Sequence, residues 1–321
     1  MKYRMLTRAD APGVAELFRS VYGDEYAFPT YYDPEALWRE NEASRILSAI
    51  ALTEEDRVVG HLAAFRSAPF DGFYEGGAAV VHADHRKGGV LEHMEVCLVQ
   101  SVEFMSSAQE FATDAATHHP YSQKAAVRFG YRESALRVSN MPRSQESGWK
   151  RESLICMSSP VKERPCTWHL PADFADRLTG RRPNRTIVSD SRKPEGLSQI
   201  VLQFFEAAKV ARVNIAQVGE DFLERFDAVH RQCLEQGAEV IQVHLNLGCP
   251  GAPVALEHLQ GRGFFLGGVL YRWFDDDALL LQAVKDDPDW ESICAVSEEA
   301  QALLKTVREE WENRTPTEWA G

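Results

Sequence analysis

Two periodicities of apolar residues alternate along this chain, and the alternation excludes all-helical and all-strand folds. Val14, Leu17, Phe18 and Val21 recur at intervals of three and four and predict an amphipathic helix over 11–22, with Asp10 placed to cap it. Ile46 to Leu52 and Val58 to Phe65 are instead continuous apolar runs across the charged turn Thr53 to Arg57, the pattern of a hairpin. A third run, Gly77 to Val81, leads through a basic, glycine-containing loop into a helix over 90–105. Strand 111–116, helix 122–129 and strands over 133–141 and 153–157 follow. Between 22 and 38 the chain is crowded with aromatic residues and broken by Pro29 and Pro34, so a loop and a short helix are expected there.

The same alternation resumes after the stretch bounded by Pro160 and Pro171. A helix near 173–178, two strands between 198 and 218, helix 221–236, strand 240–247, helix 252–260, paired strands within 264–282 and a last helix over 297–312 are expected. With 321 residues, 44% of them apolar, the chain has material for two cores. The expected organisation is α/β (α+β): a first domain over 1–160, a linker over 161–171 and a second domain over 172–321. Each is a mixed, mostly antiparallel sheet flanked by helices.

Composition narrows the chemistry. A formal charge of −13 repels phosphodiester backbones, and the basic cluster Arg177 to Lys193 is short and interrupted by Asp190, so no nucleic-acid partner is expected. The six cysteines form no C-x-x-C pair and no histidine stands at zinc-finger spacing; neither a disulfide framework nor a metal site is expected. The opening residues do not read as a signal peptide and no stretch reads as a membrane span, so a cytoplasmic protein with no membrane partner is expected.

The most informative segment is Val80-Val81-His82-Ala83-Asp84-His85-Arg86-Lys87-Gly88-Gly89-Val90-Leu91, a buried strand passing through a basic loop into a helix. Free N–H groups at the helix start and the positive end of its dipole can hold a pyrophosphate, and Gly88 and Gly89 let the backbone come close to it. A Walker loop is excluded because no G-K-[ST] follows, and a Rossmann turn because the G-x-G-x-x-G order is missing.

This segment resembles the acyl-CoA signature of the GNAT acyltransferases, V-x-P-x-x-R-x-x-G-x-G/A. Arg86 and Gly89 match, whereas Ala83 stands where Pro is frequent and Leu91 where Gly or Ala is usual. Val58-Val59-Gly60-His61-Leu62 resembles the family's third strand, and Phe129-Gly130-Tyr131-Arg132-Glu133 its G-F-x-E motif. The resemblance covers about residues 1–160 and implies the GNAT fold, in which two parallel central strands splay around the pantetheine arm. It implies acetyl-CoA or another acyl-CoA as cosubstrate and transfer of the acyl group, by direct attack, to a primary amine of a small molecule. It assigns the cofactor to Val81, His82, Arg86, Lys87, Gly88, Gly89, Val90 and Leu91.

Acylating an amine requires a base, an oxyanion donor and a proton source for the thiolate. Glu75, eleven residues before Arg86, resembles the family's base in its placement; taken alone it reads equally as a solvated hairpin carboxylate. Gly76-Gly77 stand where a bulge would redirect its strand. The resemblance makes the backbone N–H near Val81 or His82 the oxyanion donor, and the His82 side chain reads as a proton relay or a bystander. Many members carry a tyrosine acid where this chain has Ala126, which leaves Ser122, His119, Tyr121 or water as the acid; Ser122 also reads as a helix N-cap. Tyr22, Tyr26, Phe28, Tyr31 and Tyr32 lie in the acceptor region and read as pocket wall or as core. With Asp24, Glu25 and Asp33 interleaved, they favour a cationic acceptor.

In the second half, Val240 to Leu245, Gly263-Phe264-Phe265 and Gly267-Gly268-Val269-Leu270 resemble the closing strand, helix end and hairpin of another GNAT unit. Val218-Gly219-Glu220-Asp221-Phe222 offers no arginine and two carboxylates at its helix start, so a degenerate GNAT-like copy without acyl-CoA of its own is expected. Trp273, Phe274 and Asp275 to Asp277 read as facing the acceptor pocket or as a solvated turn. A monomer with an internal pseudo-dimer and a homodimer both fit. The alternative to an enzyme is a non-catalytic acyl-CoA sensor or partner-binding pseudoenzyme, motivated by Ala126 and the degenerate half.

Overall fold

Most strands and helices form where the periodicity puts them. The computed structural model describes residues 1–24, 26, 28–86, 88–142, 150–189, 193–316 and 319. Two compact units divide the chain, one of 1–113 with 160–162 and one of 114–159 with 163–321. This division does not follow the stretch 161–171, because a strand pairing described below ties 114–159 into the second unit.

In the first unit, β1 (Lys2–Met5), β2 (Ile46–Leu52), β3 (Val58–Phe65) and β4 (Phe73–Val81) form an antiparallel sheet in that order. β5 (Glu110–Ala116) then joins β4 in parallel, with pairs from Phe73↔Glu110 to Gly76↔Thr113. The helices are α1 (Ala11–Tyr22), α2 (Pro34–Glu42), α3 (Val90–Val99) and α4 (Val102–Ser107). The apolar stripe of α1 packs Val14, Leu17 and Phe18 against Tyr31, Leu37, Ile50, Leu52, Ala63 and Val80, all buried. Gly60 lets α3 settle on the sheet, since a Cβ there would stand 3.0 Å from the Met94 sulfur.

Two local expectations are corrected. Asp10 does not cap α1 with its side chain; Arg4 Nη1 holds its carboxylate at 2.6 Å and Thr7 N donates to it at 2.9 Å. These bonds and the Arg4 charge keep the carboxyl below its ordinary pKa, although burial acts in the opposite direction and is the largest single influence. The helix expected over 90–105 is two helices, because the Ser101 hydroxyl accepts the Phe104 N–H at 3.2 Å and starts α4 afresh.

In the second unit the sheet order is β7-β6-β13-β14-β12-β11-β10. Its strands are β6 (Arg132–Arg137), β7 (Leu154–Pro160), β10 (Gln199–Phe205), β11 (Val210–Gln217), β12 (Val240–Asn246), β13 (Phe265–Leu270) and β14 (Ala278–Val284). Its helices are α5 (Tyr121–Arg128), α6 (Ala172–Ala175), α7 (Phe222–Glu235), α8 (Ala252–Gly261) and α9 (Glu298–Glu312), and β8 (Cys166–His169) pairs with β9 (Arg185–Val188) in a small separate sheet. β6 meets β13 at Gly268↔Ala135, the pairing that binds 114–159 into this unit. Val213, Ile215, Ile241, Val243 and Leu281 pack with Phe222 and Phe226 of α7 and Leu256 and Leu259 of α8 in one core. No helix among the described residues is long and apolar enough to cross a membrane.

Candidate active site

The first unit gathers its candidate groups where β4 ends. Pairing of β4 with β3 skips a residue: Ala63 faces Gly77 and His61 faces Val80, so Leu62 stands opposite both Ala78 and Ala79. This is a β-bulge, and its extra residue leaves the ladder. Ala78 has φ +47, a left-handed conformation that costs a residue with a Cβ about 1–2 kcal/mol. The bulge falls one residue beyond the glycines that the sequence nominates. Gly76 and Gly77 serve another purpose: Cβ atoms there would meet the Phe111 ring at 3.1 Å and the Phe65 ring at 2.9 Å.

A buried histidine reaches the bulge. His61 Nδ1 lies 2.9 Å from the Ala78 carbonyl oxygen and His61 Nε2 lies 3.1 Å from Ser48 Oγ. Because a carbonyl only accepts, Nδ1 carries the proton and Ser48 donates to Nε2. Burial pushes the imidazole pKa down to about 4, so the ring is neutral at pH 7. Phe18 and Tyr31 meet the ring edge-on, each with centroids 5.4 Å away.

Beyond the bulge, β4 runs with one edge uncovered. Its pairing with β5 ends at Gly76, so the far edge of 77–81 has no strand partner among the described residues of this unit. His82 N donates to Val59 O at 2.9 Å and closes the ladder with β3. In an antiparallel ladder neighbouring residues point to alternate edges, so the Val81 N–H and C=O face the uncovered side. Of the two backbone donors that the resemblance nominates, His82's is therefore spent in the sheet. The Arg86 guanidinium folds back along this edge and donates through Nε to Val81 O at 3.2 Å.

The turn then delivers the chain to α3. His82 accepts the Asp84 N–H at 3.4 Å and caps the short 3-10 turn Ala83–His85. Lys87 lies outside the described residues. Gly88 has φ +103 and open space where a Cβ would be, and Gly89, at φ +72, is the N-cap of α3 with no side-chain cap. His93 N donates to Gly89 O at 3.0 Å, and the three N–H groups before it, on Val90, Leu91 and Glu92, have no carbonyl within the helix to meet.

These elements enclose an open cleft of about 310 Å³ lined by Val21 and Tyr22 of α1, Ala79, Val80 and Val81 of β4, Arg86, and Val90, Leu91 and Glu92 of α3. Burial raises the Tyr22 phenol pKa, and the nearby Arg86 charge partly offsets this. Val21, Ala79 and Glu92 were not legible as lining residues. Arg86, uncapped N–H groups and a permissive Gly88 fit a pyrophosphate; the Glu92 carboxylate opposes it.

The remaining candidates are placed as follows. Glu75 is half-buried on β4 opposite Phe65 and three residues before Ala78, on the sheet face shared with His61 and Val80. Tyr31 is 4% exposed and stacks on Phe18 at 4.8 Å, so it belongs to the core. Tyr26 lies between Tyr31 at 5.7 Å and Tyr22 at 5.0 Å, the Tyr32 hydroxyl accepts the Tyr26 N–H, and Phe28 is exposed. The aromatic segment thus runs from the core outward to the cleft, which Tyr22 reaches. Ser122 belongs to the second unit and does not cap α5, whose N-cap is Pro120; its hydroxyl is buried with no hydrogen-bond partner among the described residues, as is His119 Nδ1.

The acidic run of the second unit is a turn whose first two carboxylates, Asp275 and Asp276, stay part-exposed while the third is not. Asp277 is fully buried and accepts from Trp168 Nε1 at 2.8 Å, Arg185 Nε at 2.8 Å and Arg272 N at 2.9 Å. Arg164 reaches Asp276 at 3.1 Å, and Trp273 is buried with its indole N–H on Asn214 Oδ1 at 2.8 Å.

No family model and no curated protein matches the chain. Among solved structures it is similar to the aminoglycoside 6'-N-acetyltransferase from Enterococcus faecium, at 16% identity and a TM-score of 0.40 over 51% of this chain and 99% of that one. It is similar to an N-acetyltransferase from Staphylococcus aureus at 13% identity and a TM-score of 0.41, covering 50% of this chain and 98% of that one. A spermidine N-acetyltransferase chimera with Vibrio cholerae sequence gives 11% identity and a TM-score of 0.41 over 50% and 97% of the two chains. Scores of this size do not carry a fold or an activity over to this chain.

Proposed function

We propose that this chain is a GNAT-type N-acyltransferase that moves an acetyl or other acyl group from acyl-CoA to a primary amine of a small molecule. The observation that supports it most is the convergence, on one cleft, of an uncovered strand edge, Arg86 and three uncapped helix N–H groups. Arg86 and the N–H groups of Val90 and Leu91 hold the pyrophosphate, with Gly88 and Gly89 shaping the turn and Lys87 adding charge. The backbone donors released at the Ala78–Ala79 bulge and at Val81 face the acyl carbonyl and stabilise the charge that develops on its oxygen. Glu75 takes the proton from the acceptor's ammonium, either directly or through water. Tyr22, with Tyr26 and Phe28 beside it, walls the acceptor side, and the acyl-CoA brings a thioester whose thiolate leaves when the amide bond forms.

In this reading residues 1–160 are the catalytic GNAT domain and 172–321 a degenerate GNAT-like domain. Thiol release from acetyl-CoA across a panel of polyamines, aminoglycosides and amino-acid amides tests the activity. Turnover is expected with at least one amine, and Glu75→Gln should lower it by about 10²–10⁴-fold with acetyl-CoA affinity nearly intact. Tight acetyl-CoA binding with no thiol release for any amine would favour the sensor; no binding at all would reject both.

A further inference from the structure

We propose that His61 is a positioning residue for acyl transfer: with Ser48 it locks the Ala78 bulge of β4 and so aims the strand's freed backbone donors into the cleft. This use of the lock rests on the acyl-transfer reading, but the lock itself does not. His61 and Ser48 are both fully buried in strands whose other residues are mostly apolar, and a buried imidazole is retained there only with its polar atoms paired. Both ring nitrogens are committed, one to the bulge carbonyl at 2.9 Å and one to Ser48 at 3.1 Å. The tautomer is unambiguous, because Ala78 O can only accept. The target of the bond, Ala78, is the residue of β4 with positive φ and a Cβ, and a conformation of that kind persists only where its surroundings over-determine it. The next residue, Ala79, lines the cleft. Without the N–H donor, β4 gains by shedding the left-handed residue and taking a regular register with β3, which would turn Ala79 and the donors around it away from the cleft.

The test uses the full chain with His61→Leu, His61→Asn and Ser48→Ala. It combines acetyl-CoA calorimetry, thiol-release kinetics with the best amine of the panel, and amide hydrogen exchange over residues 73–82. His61→Leu should lower kcat by about 10²-fold, the scale of an ångström-sized misplacement, while acetyl-CoA affinity changes by less than about threefold. Exchange over 77–81 should rise at the same time. His61→Asn, which keeps an N–H for Ala78 O, should recover kcat to within about tenfold of the unaltered chain. If the leucine variant does not fold, Ser48→Ala decides: it should lower kcat by about tenfold and quicken exchange over 77–81. Unchanged kcat in His61→Leu, a parallel fall of kcat and affinity, an asparagine variant no better than leucine, or unaltered exchange over 77–81 would each overturn the proposal. If the unaltered chain binds no acetyl-CoA, the acyl-transfer reading fails on its own, and the exchange data still decide whether His61 holds the bulge.

Discussion

Two strand-to-helix turns in this chain are built alike and spend their hydrogen-bond donors differently. In the first unit β4 leads to α3 and then to a parallel partner, β5; in the second, β11 leads to α7 and then to a parallel partner, β12. Pairing of β4 with β5 stops at Gly76, five residues before β4 ends at Val81, whereas β11 stays paired to Ile215, two residues before its end at Gln217. Even that short remainder is covered, since Asn246 Nδ2 donates to Ala216 O at 3.1 Å.

The turns after these strands diverge further. At α3 the cap is a glycine with no side-chain bond, the space beside Gly88 is open, and Arg86 supplies positive charge. In the turn that precedes α7 the donors are consumed by the protein: Val218 N meets Cys249 Sγ at 3.3 Å, Gly219 N meets Ser198 Oγ at 2.9 Å and Glu220 N meets Gly196 O at 3.0 Å, although the Asp221 N-cap, like Gly89, makes no side-chain cap bond. Asp221 accepts the Ser198 N–H at 2.7 Å, and that bond lowers its pKa. An anion site at a helix start exists only while its donors stay unspent. The second turn spends the donors of Val218, Gly219 and Glu220 on its own cohesion and sets two carboxylates at the helix start.

The comparison can be sharpened by substitution at both turns. At the filled turn, a Cβ on Gly219 would overlap the backbone of Gly196 to Ser198, with Ser198 N only 2.6 Å away. Gly219→Ala should therefore lower the unfolding free energy by about 1–3 kcal/mol in denaturant titrations, the usual cost of overpacking. A neutral outcome would mean that the 196–198 segment yields easily and the turn is not plugged. At the open turn the smaller effect comes from Glu92, whose carboxylate lines the anion cleft. Glu92→Gln should tighten acetyl-CoA binding by about two- to fivefold at low ionic strength, with the gain fading as salt screens the charge. Weaker binding at every salt concentration would show that Glu92 contacts the ligand favourably.

What the sequence made legible follows the range of the interactions involved. The strand-to-helix turn that carries Arg86, Gly88 and Gly89 was legible because a strand exit, a basic residue, glycines and a helix start lie within a dozen residues. The turn Val218 to Phe222 was readable for the same reason: its carboxylates and missing arginine are local. The bulge was misplaced because glycine is the usual sign of a bulge, whereas Gly76 and Gly77 make room for the Phe111 and Phe65 rings. His61 had a signal that went unused, a lone polar ring in an apolar strand, but its partners Ser48 and Ala78 come together only when three strands align. Tyr31 read as pocket wall or as core, and aromatic content alone could not choose between them because it does not reveal depth. The burial of Asp277 went unread because its partners Trp168 and Arg185 lie far away in sequence.

The central claim is that the α3 turn holds the pyrophosphate of acyl-CoA and the α7 turn does not. Calorimetric titration of acetyl-CoA into the full chain, alongside Arg86→Glu, tests it most directly. One site per chain is expected, weakened by about 10²-fold or more in Arg86→Glu, where an attractive charge-assisted contact becomes a repulsive one. Two equivalent sites per chain, or a single site indifferent to Arg86→Glu, would contradict it.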